Sequence, residues 1–333
     1  MAKGYNPTEY MYSSARIRAL ENKIATKDRL RHLADAESAE AILSGLSEYG
    51  FEIVKRDGAI DREATLESLL VTSYGELASM ETGDAVDFLR YQYDANNIKS
   101  VIKCASRNVS PDSMLSPLGT VGIDAAKQAF VDKDYSAFPE NMKIAIADAE
   151  EAFAETSNPQ KVDFIIDKAC FADMLASAER SGIELAKRLV RTKIDLCNIM
   201  MTLRIMRMKL GKTAAGILCE VYIGGGSFSE ATLAPALESG EESFANDVVK
   251  TKYESLAAAI VDGESLGDLE RRVDDIWFSV AREAKYISFG AEIAIGYIAA
   301  LEYEVKNIRI ILAGKDAGLS PEVIRERMRD CYA

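Results

Sequence analysis

The chain has 333 residues, of which 48% are hydrophobic and only 7 are proline, and a formal net charge of −13. That hydrophobic share excludes a disordered chain. The acidity excludes a general nucleic-acid binder, whose affinity comes from Lys and Arg on phosphates. Plentiful Ala, Leu, Glu, Lys, Arg and Met with so little proline predict an all-α protein.

In chain order, residues 9–47 read as helix throughout, opened by Asn6-Pro7-Thr8-Glu9. Residues 49–60 read as a loop with Gly50 and Gly58, or a short strand. Helices are predicted over 61–80, 84–106, 122–132, 139–156, 160–180 and 182–212. Tyr222-Ile223-Gly224-Gly225-Gly226 breaks the pattern, and Ser227-Phe228-Ser229-Glu230 has the capping-box form that restarts a helix. Further helices are predicted over 241–260, 266–284 and 286–313. Gly314 and Gly318 end the last of these, and Ser320-Pro321 starts a final helix to Asp330.

Within this succession one phrase recurs. Asp94-x-x-Asn97-Ile98, Asp195-x-x-Asn198-Ile199 and Glu304-x-x-Asn307-Ile308 all read acid-x-x-Asn-Ile, and their acids lie 101 and 109 residues apart. Ser110-Pro111-Asp112 and Ser320-Pro321-Glu322 each follow their acid by 16 residues. A repeat of this length implies one helical module used three times, over 1–109, 110–226 and 227–333. In a helix the acid and the Asn share a side, at the edge of an apolar stripe. Two roles fit: each pair bonds a neighbouring helix end or backbone and fixes packing, or the three form a ring of polar groups facing a partner.

Signals for chemistry are sparse. His32 is the only histidine and sits beside Arg29 and Arg31, so zinc sites and triads built on histidine lack their parts. Gly211-Lys212-Thr213 resembles the tail of a phosphate-binding loop, but the required earlier glycine is Met206. Gly224-Gly225-Gly226 is either a bent connection or an anion cradle. Five scattered cysteines without C-x-x-C, and no secretory leader at Met1-Ala2-Lys3-Gly4-Tyr5, predict a reduced cytoplasmic protein. The longest apolar run, Ile293 to Leu301, is too short to span a bilayer. No cofactor, metal, catalytic residue or small-molecule substrate is expected. Against the acidic background, residues 187–212 are basic. Lys193, Arg204 and Arg207 fall on one helical stripe, either as internal ion pairs or as a contact for an acidic partner.

Tyr10-x-Tyr12-x-x-Ala15-Arg16-Ile17-Arg18-Ala19-Leu20-Glu21, the Phe88-Leu89-Arg90-Tyr91…Asn97-Ile98-Lys99 helix and the threefold repeat together resemble the C subunits of V-type/A-type ATP synthases and ATPases, relatives of the d subunit of the eukaryotic V-ATPase. The resemblance covers essentially the whole chain. It implies three helical domains around a pseudo-threefold axis in a funnel, and a non-catalytic central-stalk rotor component present once per complex. That component sits peripherally on the cytoplasmic face of the membrane as a socket between the axle subunits and the proteolipid rotor ring, serving proton or sodium transport or ATP synthesis. The second copy departs from the pattern, with Met200 where the others carry Lys99 and Arg309, and with about 16 extra residues before Ser227. Rival readings are a soluble helical-repeat adaptor unrelated to ATPases, and an enzyme using scattered carboxylates with magnesium.

Overall fold

The computed structural model describes residues 5–80 and 82–332, so the reading at Met1–Gly4 lies outside the described residues. Sixteen α-helices run through them. They are α1 (Met11–Glu21), α2 (Lys27–Leu33), α3 (Ala39–Gly45), α4 (Arg62–Ser79), α5 (Asp87–Ala105), α6 (Ile123–Asp132), α7 (Glu140–Thr156) and α8 (Pro159–Ser181). There follow α9 (Glu184–Met208), α10 (Ala214–Val221), α11 (Glu230–Ser239), α12 (Glu241–Asp247), α13 (Glu254–Val261), α14 (Leu266–Arg282), α15 (Glu292–Asp316) and α16 (Pro321–Arg327). The strand content among the described residues is one hairpin, β1 (Lys55–Arg56) against β2 (Ala59–Ile60), turned through Asp57 and Gly58 at positive φ. The protein is all-α.

Where the helices depart from the sequence reading, local hydrogen bonding is the reason. The stretch 9–47 is three helices, because Thr26 and Ser38 each cap a new start by accepting the N–H of Arg29 and Ala41. The stretch 241–260 is two, because Lys252 and Tyr253 leave helical geometry and turn their side chains onto Asp195. The cap of α11 is Ser229, not Ser227, since Asp195 has taken the Ser227 N–H. Gly314 does not end α15. It lies inside the helix with Ile324 of α16 seated on it, where an added Cβ would stand 2.6 Å from Ile324 Cγ1. Ser110-Pro111-Asp112 leads into a short 3₁₀ turn, whereas Ser320 caps α16 at the Val323 N–H.

The chain gathers into two compact units, one from the described residues of 1–86, 181–186 and 274–333 and one from 87–180 with 187–273. In the first, α15 is the axis of the core. Ile293 to Leu301 are at most 5% exposed, so the apolar run noted in the sequence is a helix buried on every side. Helices α1 to α4 and α16 pack on it, and the ring of Tyr303 stacks on Phe278 at 4.1 Å. In the second unit α6 and α7 pack on α5, and α10 to α13 pack each on the next. Its buried apolar side chains on α9 include Leu189, Ile194, Ile199 and Leu203. No helix among the described residues is long and apolar enough to cross a membrane.

Candidate functional site

The six repeated residues, Asp94, Asn97, Asp195, Asn198, Glu304 and Asn307, are all at most 3% exposed. Each Asn makes the same two-bond clamp on the backbone of one residue further along the chain. Asn97 donates Nδ2–H to the Ser116 carbonyl at 2.9 Å, and its Oδ1 accepts the Ser116 N–H at 2.8 Å. Asn198 does this with Ile223, at 2.8 and 3.0 Å. Asn307 does it with Arg329, at 3.3 and 2.7 Å. An amide side chain carries one acceptor and one donor side by side, which is what an extended residue's own N–H and C=O require. That explains asparagine at this position in every copy.

The acids one turn earlier are held differently. Asp94 accepts the Thr120 N–H at 3.0 Å, the Thr120 hydroxyl at 2.6 Å and the Val121 N–H at 3.0 Å. Burial raises its carboxyl above the ordinary range, while the Thr120 and Val121 bonds pull it back. Asp195 accepts the Ser227 N–H, the Lys252 ammonium at 2.7 Å and the Tyr253 hydroxyl at 2.9 Å. Burial and the Asp195 carboxylate together raise the Tyr253 phenol. Glu304 has a single donor, the Ala25 N–H at 3.0 Å on Oε2, and its Oε1 is buried without a partner. Burial pushes Glu304 up to about 7 against the smaller opposing effects of the Ala25 N–H and Arg29.

The glycines before two of these donors are part of the arrangement. A Cβ on Gly119 would lie 2.3 Å from Asp94 Oδ1, and one on Gly226 2.4 Å from Asp195 Oδ1. Gly224-Gly225-Gly226 is therefore a bent connection whose last residue lets the backbone reach an internal carboxylate. Gly225, at φ +93, makes the bend.

The basic stripe is engaged within its own unit. Lys193 donates to Gln92 Oε1 at 2.9 Å, Arg204 pairs with Glu270 at 2.5 Å, and Arg207 grips both oxygens of Glu241 and donates to the Glu264 carbonyl. Gly211-Lys212-Thr213 is a 3₁₀ turn, and His32 is exposed beside Asp35. Among the described residues no cluster of His, Cys, Asp or Glu is arranged to hold a metal ion.

Sequence reading missed a fourth buried acid. Asp173 on α8 accepts the N–H groups of Asn141 and Met142, capping α7 from outside. Its signal was a lone carboxylate among Val162, Ile166, Cys170 and Met174 on the buried side of a helix. Lys252 and Tyr253 were missed for want of any local signal.

Comparison with known proteins gives a consistent result. Over 329 residues the chain is 25% identical to the C subunit of the V-type sodium ATPase of Enterococcus hirae, covering 97% of this chain and 99% of that protein. It is 26% identical over 345 residues to the C subunit of the A-type ATP synthase of Methanocaldococcus jannaschii, covering 95% and 85%. Against the corresponding C subunit of the A-type ATP synthase of Pyrococcus abyssi it is 23% identical over 345 residues, covering 96% and 90%. The ATP synthase (C/AC39) subunit family matches residues 13–327, which is nearly the whole chain, and the chain belongs to that family.

Proposed function

We propose that this chain is the socket of a V-type/A-type rotary ATPase, joining the central axle to the membrane rotor ring on the cytoplasmic face, one copy per complex. The coarser part, a non-catalytic subunit of such an ATPase, follows from family membership. The observation that carries the finer part is the use of the repeated polar residues. All three Asn clamps and the fully bonded carboxylates of Asp94 and Asp195 are spent on holding backbone segments in place. A part that passes torque must not absorb it, and buried, satisfied hydrogen bonds in packed helices resist deformation where flexible linkers do not. The reading of the chain as three modules over 1–109, 110–226 and 227–333 belongs to the same proposal. It is supported by one clamp geometry recurring with clamped residues 19, 25 and 22 positions beyond the Asn.

For the partner surface we keep Lys193, Arg204 and Arg207. Arg204 and Glu270 are both more than 40% exposed, so their internal pair is worth only about 0–1 kcal/mol and leaves the guanidinium open to exchange partners. Arg204→Glu with Arg207→Glu should weaken capture of the axle on the order of tenfold in a pull-down from detergent-solubilised complex. Neutralising the internal partners instead, with Glu241→Gln and Glu270→Gln, should leave capture intact. Equal losses from both pairs of substitutions would mean that the arginines act only within the chain. Cross-linking mass spectrometry on the co-purified complex tests the socket itself, which requires cross-links to both axle and ring.

A further inference from the structure

The third anchor is unfinished in a way the other two are not. Asp94 and Asp195 each have three donors shared between both oxygens, whereas Glu304 has one donor and a bare, buried Oε1. Glu304 lines a narrow void between α15, the 22–26 turn, Leu30 of α2 and the 331–332 segment, and that void has no space for a water molecule. A carboxylate there cannot be hydrated without movement of the chain, while a neutral carboxyl brings no charge into the site and keeps the bond from Ala25, at the smaller cost of one buried O–H.

The two walls are tied down unequally. The 328–332 segment is held by the Asn307 clamp, by Asp275 on the Asp330 N–H, and by Lys285 on the Tyr332 carbonyl. The 22–26 turn is bonded back to α1 through Lys23, Ile24 and the Asn22 side chain and on to α2 through Thr26, but its hydrogen bond to α15 is the single one from Ala25 to Glu304. The turn is the wall that can give way.

We propose that Glu304 is a proton-operated latch: protonated, it keeps the 22–26 turn seated on α15, and ionised, it drives that turn open so that water reaches Oε1.

The ionisable groups around it set where this happens. From the packed elements these are Glu21 on α1, Lys27 and Arg29 on α2, Glu76 on α4, and Cys331 and Tyr332 in the C-terminal segment. Arg29 alone favours the charged form, and it acts at a distance too weakly to offset burial. Lys285 is taken up by the Tyr332 carbonyl and Arg325, on α16, by Asp35. The folded protein therefore keeps its proton up to about pH 7, while an unfolded chain releases it near 4.5. Between those values the folded state holds more protons than the unfolded one, so this group's contribution to stability falls as pH rises and is fully lost above about 7.

Amide exchange at Ala25, corrected for the intrinsic rate, reads the latch directly. Its protection factor should fall by about tenfold or more between pH 6 and 8.5, and in Glu304→Gln it should stay level across that range. Because that variant can fail to fold, the wild-type Glu304 Cδ resonance gives a second reading, with a titration midpoint near 7. A level protection factor in the wild type, or a Cδ midpoint in the ordinary glutamate range, would overturn the latch.

Discussion

Asp195→Ala should lower the stability of the chain by about 3 kcal/mol, read as a reduced midpoint at unchanged slope in urea denaturation. Asp195 is fully buried and serves three donors from two separate stretches, Ser227 on one side and Lys252 with Tyr253 on the other. Alanine strips the Ser227 N–H and the Tyr253 hydroxyl of this acceptor, while Lys252 keeps its second bond, to the Ser227 hydroxyl at 2.6 Å. Each orphaned buried donor costs about 1–3 kcal/mol. Lys252 is 40% exposed and can turn to solvent, which places the sum at the low end. Asp195→Asn keeps the volume and one acceptor oxygen but points an N–H₂ at groups that themselves donate, so about half the loss is expected there. A loss under about 1 kcal/mol in the alanine variant would mean that the carboxylate is not what joins these stretches.

Gly119→Ala is the second large effect, at about 2–3 kcal/mol. The cost is contact, not backbone conformation: the new methyl would stand 2.3 Å from Asp94 Oδ1 and 3.2 Å from its Cγ. The carboxylate cannot retreat without giving up Thr120 or Val121. Gly226→Ala should behave alike, with Asp195 Oδ1 at 2.4 Å and Ile194 Cγ2 at 2.9 Å. Gly122→Ala is the control, since a Cβ there meets nothing within 4 Å. Comparable losses at Gly119 and Gly122 in the same denaturation series would contradict the close-approach account.

These two sites show how far the sequence could be read. The all-α class and the helices from α4 to α9 were legible because long periodic stretches with few breakers carry their own signal. The anchors were legible as positions because they recur. Their bonding was not, since Asn198 and Ile223, or Asp195 and Tyr253, meet only after the intervening helices have packed. The breaks inside 9–47 and 241–260 were hidden for a related reason. Thr26 and Ser38 also fit an exposed helical position, and the turn at Lys252 exists to satisfy a carboxylate 57 residues away. Gly119 and Gly226 carried no local signal for their role, since the residue after each donates to an anchor acid only once distant stretches have packed.

The proposed function is that of a part that couples motion and does no chemistry. Its most direct test is reconstitution of the soluble ATP-hydrolysing head, axle and membrane ring with and without this chain, measuring ATP hydrolysis and ATP-driven ion uptake together. The expected result without the chain is continued hydrolysis and no ion uptake, with uptake restored when the wild-type chain is added back. Ion uptake at full rate in its absence would contradict the account.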